Sequence, residues 1–203
     1  MQDIILYATD TMADWEYAYL TSGLAMAAEL EPDRFRFRVL TDGQEIVTTK
    51  GRLRLQTDGS LDDLDVDNVA LLVLPGADTW FDGHEEVLAL AGKLLEGGTP
   101  VAGICGATYG LARAGLLDTR AHTSNAPDFL TPTGYAGAER YLEERVVDDG
   151  KLITSPATAP VDFSAAIFRR LRVFPPAITD AWYGLYTTGE RHYFDTLVGA
   201  ESA

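Results

Sequence analysis

The sequence holds one cysteine, three histidines and three methionines among 203 residues. One cysteine excludes an intrachain disulfide framework and any multi-cysteine metal site. A free thiol is most at home in a reducing, cytoplasmic setting. No cluster of three or four potential ligands stands at zinc spacing, so neither a metal nor a cofactor is expected. Basic residues are scarce too. Sixteen Lys and Arg against 31 Asp and Glu leave a net charge of −15. That balance argues against a nucleic-acid partner held by phosphate contacts and against an anionic membrane surface; its ordinary role is solubility. Long apolar runs are missing: none approaches the roughly 20 residues of a membrane span. The first eight residues, Met1 to Ala8, lack the basic region and apolar core of a signal peptide.

What is present is an alternation of short apolar strands with amphipathic helices, in a chain long enough to bury a core without staples. Ile4 to Ala8, Val69 to Leu74 and Val101 to Ile104 read as strands buried on both faces. Phe35 to Leu40 alternates apolar and basic residues at its start and reads as a strand nearer an edge. Thr9 to Asp14 reads as a turn with capping residues, followed by a helix with Trp15, Tyr19, Met26 and Leu30 on one stripe. Ile46–Thr49 and Leu53–Thr57, joined by Lys50-Gly51, read as a small hairpin excursion. Five aspartates between Asp58 and Asp67 mark a surface loop or short helical turn. A helix through Val87 and Leu95 ends at Gly97-Gly98, and Val146–Thr154 with its Asp-Gly turn reads as a second hairpin. Helices follow around Phe163, Ile167 and Leu171, and from Ile178 to about Gly189, separated by Pro175-Pro176. The fold class is therefore α/β: one domain over residues 1–203 with a mostly parallel sheet covered by helices on both faces. Ligands of such sheets bind at the carboxyl ends of strands. Three turns lie at such ends: Asp10 to Glu16, Pro75 to Phe81, and Cys105 to Tyr109.

Gly103-Ile104-Cys105-Gly106-Ala107 has the form of a nucleophile elbow, with cysteine where hydrolases place serine. The small neighbours are what a strained strand-to-helix turn needs. Helix N–H groups at such a turn lower a thiol pKa; the bland alternative is a cysteine acting as a small buried hydrophobe. Glu16, in a helix first turn, either complements the helix dipole or stands against the Cys105 sulfur with a raised pKa, one proton shared by the pair. The backbone N–H groups of Gly76, Ala77 and Gly106 could form an oxyanion hole. Among His84, His122 and His192, His122 follows the elbow helix most closely and is the favoured assistant, against the alternative of a satisfied structural histidine. The C-terminal aromatics, Trp182 to Phe194, read as core or subunit contact.

Taken together these segments resemble the ThiJ/PfpI family of the class I glutamine amidotransferase-like superfamily. The resembling residues are Ala13-Asp14-Trp15-Glu16, Val73-Leu74-Pro75-Gly76, Val101 to Thr108, His122-Thr123-Ser124-Asn125, and Leu152-Ile153-Thr154-Ser155 with Thr158 to Phe163. The resemblance implies a flavodoxin-like three-layer sandwich, a reactive Cys105, a carboxyl partner at Glu16 and a homodimer. The activities of such proteins range from peptidase or amidase, isocyanide hydratase and glyoxalase or deglycase to chaperone and redox or stress sensing. Three departures narrow this. Gly106 stands where peptidase-like members have histidine, which argues against peptidase activity. His192 is followed by Tyr193-Phe194 and does not supply the His-x-Glu of the amidotransferases. Ala77 replaces a second oxyanion glycine. The leading expectation is a cysteine-nucleophile hydrolase or lyase of amidase-like type acting on a small molecule. The alternative is a redox or stress sensor whose Cys105 oxidises to a sulfinic acid held by Glu16.

Overall fold

A computed structural model describes residues 1–201. In chain order the elements are β1 (Gln2–Tyr7), α1 (Asp14–Leu30), β2 (Phe35–Thr41), β3 (Ile46–Thr48), β4 (Arg54–Gln56), β5 (Gly59–Ser60), β6 (Val69–Leu74), α2 (Glu85–Gly97), β7 (Val101–Ile104), α3 (Gly106–Arg113), α4 (Pro127–Leu130), β8 (Val147–Asp148), β9 (Leu152–Ser155), α5 (Pro160–Leu171), α6 (Pro176–Thr188) and α7 (Arg191–Glu201). The main sheet has the order β5-β2-β1-β6-β7-β9-β8. Every neighbouring pair is parallel except β8 with β9.

The unbroken apolar runs are explained by two-sided burial. In β1, Ile4 and Leu6 join a core with Leu20, Leu24, Phe163, Phe168 and Trp182, contributed by α1, α5 and α6. Ile5 and Tyr7 point the other way, into a core with Val87, Leu88, Ala91, Leu94 and Leu111 from α2 and α3. β6 divides likewise, Leu71 and Val73 to one side and Leu72 and Leu74 to the other. The result is the two-sided parallel sheet that the alternation implies, and the flavodoxin-like sandwich that the family resemblance implies. β2 lies one strand in from the edge, covered there only by the two-residue β5.

Three details differ from the sequence reading. The buried side of α1 runs through Glu16, Leu20, Gly23 and Leu24, while Trp15 and Leu30 are exposed. Gly23 is there because the Phe168 ring occupies the space of a side chain. Asp10 and Asp14 do not cap α1, whose N-cap is Ala13 with no side-chain cap; both carboxylates hold the β3–β4 hairpin. The chain also continues past Gly189 into α7, where Tyr193 packs onto Gly184 of α6.

Candidate active site

The order in which strands enter the sheet puts its switch point between β1 and β6, and three turns converge there and beside it. β7 ends at Ile104, and Cys105 turns the chain sharply into α3 with φ +58° and ψ −122°. A non-glycine residue at positive φ is strained. The strain is held in place by Cys105 N–H donating to Ser155 O at 2.9 Å, and by Thr108 on α3, whose backbone N–H and hydroxyl both donate to Cys105 O, at 3.1 and 2.5 Å. Ser124 hydrogen-bonds the same Thr108 hydroxyl at 2.6 Å. Gly106 is required because a Cβ there would meet Ala77 O at 2.8 Å and Ala77 N at 3.3 Å. The elbow and the Ala77 backbone are thus pressed face to face.

Glu16 is fully buried at the first turn of α1. Gly76 N–H donates to its Oε2 at 2.6 Å, and Ala13 N–H donates to Gly76 O at 2.9 Å. Oε1 is buried without a well-formed hydrogen-bond partner. The group sharing this space is the Cys105 thiol: a Cβ on Gly76 would meet Glu16 Oε2 at 2.7 Å, Cys105 Cβ at 2.7 Å and Cys105 Sγ at 2.9 Å. Only glycine lets the carboxyl and the sulfur close over the strand end.

Burial pushes the Glu16 carboxyl up to about 7, against the opposing pulls of the Gly76 N–H, the Cys105 thiol and the Lys50 charge. Burial, then repulsion from the Glu16 carboxylate, pushes the Cys105 thiol up to about 11; the Asn125 amide and the Gly106 N–H pull it back in part. This corrects the expectation of a lowered thiol pKa. The turn does aim an N–H at the sulfur, but loss of water and a neighbouring anion outweigh it. Between those two values the pair holds one proton, carried by the sulfur beside the Glu16 carboxylate.

The expected residues fall into two groups. Glu16, Gly76, Ala77, Cys105 and Gly106 come together. Within that group Gly76 differs from the expectation: its N–H is spent on Glu16 and is not open to an oxyanion. His122 is fully buried, and both ring nitrogens are engaged elsewhere. Nδ1–H donates to Arg120 O at 2.9 Å, so Nε2 accepts from the Tyr135 hydroxyl at 3.2 Å. It does not hydrogen-bond the sulfur; it braces the loop that leads to Asn125. Among the other histidines, His84 pairs with the Tyr7 hydroxyl at 2.9 Å and His192 lies beside Glu190.

Two residues outside the expected set reach the site. Asn125 Nδ2 donates to Cys105 Sγ at 3.4 Å while its Oδ1 accepts from Ala157 N–H at 2.9 Å, which fixes the amide's orientation. Lys50, from the hairpin turn, acts on both Glu16 and Cys105 by its charge and pairs with Asp78 at 2.8 Å. The signal for Asn125 was its place in the His122–Asn125 segment; nothing local marked Lys50. Among the described residues no group of three or more His, Cys, Asp or Glu side chains is placed to hold a metal ion, and no helix is long and apolar enough to cross a membrane.

The model of the DJ-1/PfpI family matches residues 2–170, and the chain belongs to that family. It is 38% identical over 200 residues to the uncharacterized protease YoaZ of Bacillus subtilis (strain 168), covering 96% of this chain and 95% of that protein. It is 32% identical over 129 residues to the deglycase TK1284 of Thermococcus kodakarensis, covering 58% of this chain and 76% of that protein. The crystal structure of a thiJ/pfpI family protein from Bacillus anthracis superposes with a TM-score of 0.90 at 35% identity, covering 98% of this chain and 97% of that one.

Proposed function

We propose that this protein is a cysteine-dependent, amidase-like hydrolase of small carbonyl compounds. The observation that carries the reading is the closure of the Glu16 carboxyl and the Cys105 sulfur over Gly76, beside the Ala77–Gly106 backbone. The thiol proton passes to Glu16 as the sulfur attacks the substrate carbonyl carbon. A C–S bond forms, and the carbonyl electron pair moves to oxygen, facing the N–H groups of Ala77 and Gly106. When the intermediate collapses, the C–N or C–O bond breaks and Glu16 returns its proton to the leaving group. Water then cleaves the thioester and restores the thiol. Asn125 steadies the sulfur through its Nδ2–H. The names of the relatives, protease and deglycase, are those of enzymes. Peptidase activity is not part of the reading, because Gly106 follows the nucleophile and the buried His122 spends both nitrogens on Arg120 and Tyr135. The reading includes a homodimer, as the family resemblance implies, and a cytoplasmic setting, as the single free cysteine suggests.

The test is acylation by p-nitrophenyl acetate followed by intact-mass analysis. Wild type is expected to release nitrophenol in a burst and to carry a hydrolysable acetyl adduct on Cys105; Cys105→Ser shows neither. Absence of acylation, together with selective conversion of Cys105 to the sulfinic acid by dilute peroxide, would replace this reading with redox sensing.

A further inference from the structure

The β3–β4 hairpin leaves the sandwich and packs back on the loop after β1. Val47 is buried against Ala8 and Met12, with Ala77 and Leu55 at the margin of the same cluster. Its turn is held residue by residue. Thr48 N–H donates to Asp10 Oδ1 at 2.7 Å, Lys50 N–H to Met12 O at 2.9 Å and Gly51 N–H to Asp14 Oδ2 at 2.7 Å. Thr11 N–H in return donates to Thr48 O at 2.8 Å. Two carboxylates and two backbone bonds on one short turn place Lys50 with little freedom in its backbone.

The Lys50 ammonium meets Asp78 at 2.8 and 3.0 Å. Asp78 follows Ala77 directly, and its own N–H is tied to Thr11 Oγ1 at 2.9 Å. The cation therefore hangs one residue from the backbone that faces Gly106 and the elbow. Its charge acts on the sulfur and on Glu16. The pair is open to water, with Lys50 at 45% and Asp78 at 65% side-chain exposure. An exposed pair of this kind is weak and screened by water, so another anion exchanges for Asp78 readily. In a chain of net charge −15, an anionic substrate is repelled on approach unless a fixed cation receives it.

We infer that Lys50 is the specificity-determining residue of this site and receives the carboxylate of a small acidic substrate, with Asp78 as its counter-ion when the site is empty. The inference rests on Cys105 being the reacting group. It narrows the substrate class to carbonyl compounds that carry a carboxylate beside the carbon attacked.

Two alkylating reagents of nearly equal size separate charge recognition from general reactivity. Iodoacetate carries a carboxylate; iodoacetamide is neutral. With either, a C–S bond to Cys105 forms and iodide leaves. Any change in the fraction of thiolate alters both rates equally, so the iodoacetate-to-iodoacetamide ratio isolates recognition of the anion. Because the chain has one cysteine, intact mass reports that site alone. Lys50→Met is expected to lower the ratio about five- to tenfold, Lys50→Arg to keep it near wild type, and Asp78→Asn to raise it about two- to fivefold. A ratio unmoved by Lys50→Met while both reagents still label Cys105 overturns the inference and leaves the nucleophile reading standing. Failure of both reagents to label the folded wild-type protein overturns the nucleophile reading, and the inference with it. If Lys50→Met unfolds the protein, Lys50→Gln and the Asp78→Asn ratio decide the matter on folded chains.

Discussion

Glu16 and His122 are both fully buried titratable residues on segments that reach the Cys105 turn, His122 through Asn125, and their surroundings differ in one respect. Both His122 ring nitrogens have partners, and the imidazole is held neutral, burial pushing its pKa down. Glu16 has one oxygen bound to Gly76 N–H and one without a well-formed partner. A buried polar group with every bond made is a brace. A buried group left with an open atom costs stability, and folded proteins keep few of them unless the atom has work to do. Residue type would have favoured the histidine as the acid–base partner. The hydrogen-bond inventory favours the carboxyl.

That contrast can be broken most sharply at Glu16. Glu16→Gln removes the proton acceptor and is expected to lower the acylation rate by about 10²–10⁴-fold. Alkylation gives the matching pH signature. In wild type the rate of Cys105 alkylation rises through about pH 7, where the pair loses its first proton and a thiolate form with protonated Glu16 becomes available, then levels before rising again toward about 11. Glu16→Gln removes the inflection near 7. Stability follows the same group with the opposite sign. The folded protein holds the Glu16 proton up to about 7, whereas the unfolded chain releases it near the ordinary value of 4.5. The folded state thus binds more protons between those values, and stability falls as pH rises through them. The denaturant midpoint of wild type relative to that of Glu16→Gln should fall as pH rises from 4 to 8, because groups with lowered pKa such as His122 act alike in both chains; equal slopes would reject the raised carboxyl.

Next in size is Gly76→Ala. The added Cβ must displace Cys105 and Glu16 together, and overpacking of this kind costs about 1–3 kcal/mol. Urea denaturation measures the loss, and the alkylation inflection should shift as the pair is spread. A variant as stable as wild type, with an unchanged pH profile, would mean that the carboxyl and sulfur do not close over this residue.

The smallest effect on chemistry is expected at the brace. His122→Ala leaves the Arg120 carbonyl and the Tyr135 hydroxyl unpaired and is expected to cost about 1–3 kcal/mol of stability. Its alkylation profile should keep the inflection near 7 and a rate within about twofold of wild type once only folded protein is counted. Loss of acylation in a stably folded His122→Ala protein would restore the histidine to the chemistry and reverse the comparison.

The parts of this picture that could be read along the chain are those set by local spacing. Continuous apolar runs such as Val69–Leu74 state burial on both faces, because six such residues in a row leave no face for water, and the run's shortness and its β-branched Val69 and Val73 favour a strand. Gly103-Ile104-Cys105-Gly106 states an elbow, because side chains on its neighbours would clash. Glu16 was legible as a first-turn carboxylate beside a strand end. What could not be read depends on contacts between distant segments. Lys50 looked like any residue of a hairpin turn until Asp10, Met12 and Asp14 fixed where that turn lies. The Gly76 N–H looked free for an oxyanion until Glu16, 60 positions earlier, took it. The thiol was expected to be acidified by its helix, and burial beside a carboxyl reversed the sign.

The amino-acid sequence by itself determined the class of fold, the sharp turn at Cys105 and the pool of groups available to it, since all three follow from periodicity and steric size over a few residues. The tertiary structure alone decided which of those groups meet the sulfur, which are consumed in holding the scaffold, and that Lys50 pairs with Asp78 beside Ala77. Those outcomes depend on hydrogen bonds, burial and Coulomb interactions between segments that only the closed sandwich brings within a few ångströms of one another.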